Sequence, residues 1–191
     1  MMIRSLVLAA GLLAGLQAQA ATVYADDFNA DVQGLNTTPT GWVVTNGTVD
    51  TIGTGYYDLQ PGNGNYLDLD GTSNQGGTIE HDLFLTAGVT YTLSYWLAGN
   101  LRNAGTETVD VVFGGATDTV TPQANDNFSL HTLTFTPTTS GTYALTFDNL
   151  GGDNQGALLD NVSVTAVPEP ASVALLLAGL GVVGVARRRR G

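Results

Sequence analysis

The chain has 191 residues, with 17 acidic side chains against six basic ones, two histidines and no cysteine, for a net charge of −11. The missing cysteines exclude a disulfide framework, thiol chemistry and cysteine-ligated metal sites. The acidic excess repels phosphate, which argues against nucleic acid and against anionic membrane surfaces, and it favours divalent cations.

Residues 1–20 carry one positive charge, Arg4, then an apolar stretch from Leu6 to Leu16, and close on Ala18-Gln19-Ala20, a small-x-small cleavage site. This is the pattern of a secretory signal peptide, with the exported part starting at Ala21. Five of the six basic residues are Arg4, Arg187, Arg188, Arg189 and Arg190, so Arg102 is the only cation between Ala21 and Ala166, and that segment carries a charge of about −15. Its length suits one domain with a core large enough to stand without disulfides. Its punctuation is Gly, Asn, Asp and Thr, and short alternating stretches predict strands over 22–28, 41–45, 48–52, 66–69, 77–85, 89–98, 106–113, 117–121, 129–136, 141–149 and 156–165. Strands at this spacing predict an all-β, antiparallel sandwich. Asn46-Gly47 reads as a two-residue hairpin turn. The alternation places Tyr91, Leu93, Tyr95 and Leu97 on the core face of one strand with Trp96 outward, and Tyr143, Leu145 and Phe147 on the core face of another. Leu67 and Leu69 face the core, whereas Tyr66, Asp68 and Asp70 share the opposite face.

The last 25 residues form a separate unit. Val167-Pro168-Glu169-Pro170 ends the final strand, because proline lacks a ladder donor and restricts the residue before it. The uncharged run 171–186 follows, and as a helix it spans roughly 24 Å, short of the ~30 Å hydrocarbon core unless the bilayer thins or arginines snorkel. The tail 187–191, with its four consecutive arginines Arg187, Arg188, Arg189 and Arg190, is basic and should stay cytoplasmic, which places the domain outside. Motif, apolar run and basic end together resemble the PEP-CTERM sorting signal of exopolysaccharide-producing Gram-negative bacteria. That resemblance implies an exosortase, a transpeptidase-like membrane protease, as a partner that cuts near Pro168-Glu169-Pro170. It also implies a membrane-anchored stage through 171–186 before processing. The other reading is a single-span tail anchor in which the prolines are only a stiff linker.

In sequence order, Asp26-Asp27-Phe28, Gly41-Trp42, Tyr66-Leu67-Asp68-Leu69-Asp70-Gly71, Thr90-Tyr91-Thr92-Leu93, Ala98-Gly99-Asn100 and Leu158-Leu159-Asp160-Asn161-Val162-Ser163-Val164 resemble the galactose-binding-like jelly rolls, a fold class that includes many carbohydrate-binding modules. The resemblance implies a jelly-roll β-sandwich over 21–166. It also implies a structural Ca²⁺ tying the first strand to the last, with Asp27, or Asp26 as alternate, and Asp160 as carboxylate ligands.

A sugar site needs an aromatic platform for the apolar face of a pyranose and polar groups for its hydroxyls. Trp96, with Asn100, Arg102, Tyr56 and Tyr57 in neighbouring loops, is the candidate constellation, and Trp42 is expected in the core. Asp68-Leu69-Asp70-Gly71 lacks the third oxygen ligand and terminal Glu of an EF-hand loop. Gly151-Gly152-Asp153-Asn154-Gln155-Gly156 is a single copy with the wrong spacing for a calcium-binding nonapeptide, so both segments are expected to be turns. For catalysis the sequence offers little. His81 and His131 have no second ligand at metal-site spacing, there is no Gly-x-Ser-x-Gly elbow, and only Glu80 and Glu107 remain as a glutamate pair outside the tail. The expectation is a non-catalytic, exported envelope or matrix protein. Either its sandwich binds carbohydrate, such as the cell's own exopolysaccharide, or it is an acidic structural protein of the biofilm matrix with no specific ligand.

Overall fold

The computed structural model describes residues 20–102 and 105–167. The expected signal peptide before Ala20 lies outside the described residues. So do Pro168, Glu169 and Pro170 of the sorting motif, the apolar run 171–186, and the arginines Arg187, Arg188, Arg189 and Arg190 of the basic end. Among the described residues the chain forms twelve strands and no helix. They are β1 (Ala21–Asp26), β2 (Gly34–Thr37), β3 (Val43–Asn46), β4 (Val49–Gly53), β5 (Asn65–Asp68), β6 (Thr78–Leu85), β7 (Thr90–Ala98), β8 (Val109–Phe113), β9 (Ala116–Val120), β10 (Ser129–Phe135), β11 (Gly141–Asn149) and β12 (Leu158–Val167). One sheet has seven strands in the order β10-β7-β12-β5-β4-β2, with β1 also paired to β12, and the other has five in the order β3-β6-β11-β8-β9. Every pairing is antiparallel, giving the expected jelly-roll sandwich.

The period-2 pattern decides which side chains meet between the sheets. Tyr91, Leu93, Tyr95 and Leu97 of β7 are buried, facing Leu145 and Phe147 of β11, Ile79 and Leu83 of β6 and Val109, Val111 and Phe113 of β8 within one apolar cluster. Each such side chain is worth about 1.5–3 kcal/mol when removed from water. Tyr143 is only half-buried at the margin of that cluster, and Trp42 is in it. The Trp42 indole Nε1 donates to Asp26 Oδ2 (2.9 Å), so its polar edge is satisfied inside the core. Tyr95 crosses from one sheet to the other, its hydroxyl donating to Asp118 Oδ2 of β9 (2.9 Å).

One sequence expectation is corrected, one strand was not foreseen and one strand boundary moves. Asn46-Gly47 does not close a hairpin, because β3 pairs with β6 in the five-stranded sheet while β4 pairs with β2 and β5 in the other. The dipeptide carries the chain between sheets. Gly47 has a φ of 55° and lies so close to the Gln75 and Gly76 carbonyls that a Cβ there would collide with both. The strand β2 was not legible, since Gly34-Leu35-Asn36-Thr37 has one apolar residue and an irregular register around Asn36, whose φ is 50°. The final strand runs to Val167, one residue into the sorting motif, with Val167 opposite Thr90.

The outer face of the seven-stranded sheet is also not a simple solvated face. Tyr66, Asp68 and Asp70 are buried on it under loops. The Tyr66 hydroxyl accepts bonds from Leu59 N (2.5 Å) and Gln60 N (2.7 Å) and donates to Asp58 Oδ1 (3.0 Å), while its ring packs with Ile52, Ala98, Leu158 and Phe128 in a second small cluster.

Candidate functional site

Of the predicted site residues, Asp26, Asp27 and Trp96 line one concavity and Tyr57 and Arg102 a second, both built on this outer face. The first is an open groove of about 740 Å³ lined by Ala25, Asp26, Asp27, Ser94, Trp96, Asn161 and Ser163. It exists because β12 bulges between Asp160 and Ser163, with Asn161 at a φ of 50°. Trp96 and Asp160 are cross-strand partners there and share a face. Trp96 is 38% exposed and Asp160 only 1%.

The acidic residues of the groove differ sharply. Both Asp160 oxygens accept bonds from Asn161, at 2.7 Å from its backbone N and 2.8 Å from Nδ2, yet burial, reinforced by the Asp27 and Asp26 charges, pushes the carboxyl up to about 7. Asp27 is exposed, and hydrogen bonds from Asn29 hold it below the usual carboxylate range. Asp26 is committed to the fold, accepting from Phe28 N (2.9 Å), Trp42 Nε1 and Tyr24 Oη (3.3 Å). As a test of the implied Ca²⁺, Asp27 and Asp160 share a field that a cation would relieve, while Asp26 already accepts three hydrogen bonds. Among the described residues no group of three or more His, Cys, Asp or Glu side chains has metal-holding geometry.

The second concavity is a pocket of about 200 Å³ lined by Leu35, Asp50, Tyr57, Asp68, Thr72, Arg102 and Asn154. Tyr57, at a φ of 47°, stands 65% exposed beside it, held edge-on against Tyr56 (centroids 4.8 Å apart). The floor is charged and buried. Asp50 and Asp68 are cross-strand partners, a juxtaposition of like charges that is unfavourable alone, and Arg102 Nη2 donates to Asp68 Oδ2 between them. Burial outweighs the Arg102 partner and raises the Asp68 carboxyl to about 7, and burial also raises Asp50.

The five-residue constellation read from the sequence is therefore divided. Trp96 belongs to the groove, and Arg102 and Tyr57 to the pocket. Tyr56 packs half-buried against the second cluster. Asn100 is 1% exposed and structural, with Nδ2 donating to the Gln155 carbonyl (2.6 Å) and Oδ1 accepting from Arg102 N (2.9 Å). Sequence reasoning missed Asp50, Asp68, Thr72 and Asn154. The outward alternation of Asp68 was visible, but nothing local announced that it would meet Asp50 across two strands.

The histidines do not converge. His81 of β6 stacks on Tyr24 and bonds the Gly41 carbonyl through Nδ1 (2.6 Å), whereas His131, on β10 in the other sheet, stacks on Tyr95. Glu80 sits on β6 opposite Val43 and Thr146, while Glu107 is buried before β8 beside Asn149.

Residues 166–190 match the PEP-CTERM protein-sorting motif, a span that takes in Val167, Pro168, Glu169 and Pro170 at one end and Arg187, Arg188, Arg189 and Arg190 at the other. The chain carries that sorting signal. A 141-residue stretch, 73% of the chain, is 30% identical to halomucin of Haloquadratum walsbyi, and it spans 2% of that protein's length. Among solved structures, the K3 cleaved adhesin domain of Lys-gingipain from Porphyromonas gingivalis matches 77% of the chain over 99% of its own length, with a TM-score of 0.52 and 15% identity, which shows a shared sandwich fold. The CBM22-1–GH10 modules of Clostridium thermocellum xylanase 10B, solved with xylohexaose, match 78% of the chain over 29% of their own, with a TM-score of 0.48 and 14% identity.

Proposed function

We propose that this is an exported cell-envelope or matrix protein, sorted through its PEP-CTERM signal by an exosortase-type protease, whose sandwich binds carbohydrate of the exopolysaccharide without catalysis. The observation that carries the binding half is the pocket under Tyr57. An exposed aromatic beside Arg102, Asp50, Asp68, Thr72 and Asn154 offers a pyranose an apolar platform together with hydroxyl donors and acceptors. The acidic floor favours neutral over anionic sugars. A Ca²⁺ held by Asp27 and Asp160 belongs to the same proposal, supported by the raised Asp160 carboxyl beside its acidic neighbours. It would fasten β1 to β12 below the Trp96 groove.

The test is retention of the purified protein on the producing organism's own exopolysaccharide, with calcium and with chelator. Wild-type retention lost in Tyr57→Ala and kept in Trp96→Ala supports the pocket; the reverse pattern moves the site to the groove. Failure of the wild type to bind above an unrelated acidic protein refutes the binding reading. The charge of about −15 on the exported segment then favours the second reading, a structural acidic matrix protein without a specific ligand.

A further inference from the structure

The two acidic, glycine-containing segments that fail as calcium loops on their own, Asp68 to Gly71 and Gly151 to Gly156, fold against each other. Gly156 N donates to Asp68 Oδ1 (2.9 Å), Asp153 N to Asp70 Oδ2 (3.1 Å) and Leu69 N to the Ala157 carbonyl (3.0 Å). Asp70 has no exposed surface, and its remaining oxygen, Oδ1, is buried with no hydrogen-bond partner among the described residues. A buried acceptor in that state bears its full desolvation penalty. A second carboxylate comes to the same place. A Cβ on Gly151 would collide with Glu107 Oε2 and lie 3.2 Å from Asp70 Oδ2, so glycine leaves room for both acids beside one turn. Glu107 is 9% exposed and, among the described residues, has only a long bond, 3.4 Å from Asn149 Nδ2.

Arg102 pairs with Asp68, and its charge also reaches both acids without overcoming their burial. Burial raises both carboxyls, with the Asp153 charge next in raising Glu107 and the Asp70 charge adding to it. We infer that Asp70 and Glu107 hold a hard divalent cation, best matched by Ca²⁺, which fastens the 150–157 loop to the segment after β5. Two carboxylates neutralise its charge. Calcium sheds its water more readily than Mg²⁺ and tolerates an irregular oxygen shell, so backbone carbonyls can complete a buried site with two carboxylates. The inference is independent of the carbohydrate reading, and its residues are distinct from Asp27 and Asp160.

The test uses the full chain in detergent, stripped with chelator, and titrates calcium alone by equilibrium dialysis. Asp70→Asn and Glu107→Gln are each expected to weaken one calcium equivalent at least tenfold, an equivalent that the Asp27→Asn/Asp160→Asn double variant retains. Asp70→Asn keeps an acceptor for Asp153 N. In case it still perturbs the fold, hydrogen exchange on the unaltered chain is the second reading, where calcium should slow the Asp153 and Asn154 amides. The inference is overturned if the wild type binds no calcium, if binding is lost only in the double variant, or if those amides exchange equally with and without calcium.

Discussion

Raising the pH of the chelator-treated protein from 5 to 8 should destabilise it, with Asp68 as a principal cause. This carboxyl is 2% exposed, and its burial lifts it from an ordinary 3.8 to about 7 despite the Arg102 partner. Between those values the folded chain holds a proton that the unfolded chain has released. The stability tied to that proton is fully present below about pH 4 and is lost as the pH climbs through 7. The gap between the two values corresponds to about 4 kcal/mol, of which about 3 kcal/mol is lost between pH 5 and 8, a large part of the roughly 5–15 kcal/mol that holds a domain together. Asp160, also raised to about 7, acts in the same window with the same sign. Urea unfolding at pH 5, 6, 7 and 8 measures the effect. Asp68→Asn can still accept from Asp70 N and Gly156 N, as Oδ1 does now, but it cannot titrate. The difference between the wild-type and variant slopes therefore isolates this one group. Wild-type stability that stays level or rises from pH 5 to 8, or an unchanged slope in Asp68→Asn, would refute the reasoning.

Two further predictions concern the core. Leu97, fully buried on β7, should cost about 2–5 kcal/mol when replaced by Ala, because the cavity adds to the lost transfer energy; denaturant midpoints at constant m measure it. Tyr95→Phe keeps the ring but removes the bond of this hydroxyl to Asp118 across the sheets, and should cost about 1–3 kcal/mol by the same measurement.

How much was legible follows from the range of each signal. Alternation is local, so the burial of Tyr91, Leu93, Tyr95 and Leu97 and the outward turn of Trp96 could be read from nine consecutive residues. The same rule failed for Tyr66, Asp68 and Asp70, because what covers them comes from elsewhere. Leu59 and Gln60 close over Tyr66, and Gly156 and Asp153 over Asp68 and Asp70, across 88 and 83 residues in the latter two cases. Asn46-Gly47 signals a reversal with a suitable φ at its glycine, but β3 before it pairs with β6 about 30 residues on, whereas β4 after it pairs with β2 and β5 in the other sheet. Trp96 and Arg102 are close in sequence yet separate in space for a related reason. β7 ends at Ala98, and Leu101 at a φ of 56° redirects the chain before Arg102. Proximity in the chain put them in one constellation, and the turn assigned them to two concavities.

The expected signal peptide and the sorting motif flank one paired position of the fold. Ala21, the expected mature start, lies opposite Ala166 in the β1–β12 ladder, and Val167 is held by Thr90 of β7 one step further on. β12 is hydrogen-bonded on both sides, to β7 and to β1, over Ser163–Ala166. A cut upstream of Ala166 would strip a central strand, whereas a cut at or beyond the Val167–Pro168 bond leaves both ladders whole. The released protein is therefore expected to begin at Ala21, within one residue, and to end at or after Val167, as intact-mass spectrometry would read directly. Replacing Pro168-Glu169-Pro170 should leave the chain uncut in the inner membrane fraction. A released species ending before Ala166, or normal release of the replaced motif, would break the link between the sorting signal and the last strand. If neither occurs, the strand that carries Asp160 and half of the Trp96 groove passes through processing with its pairing undisturbed.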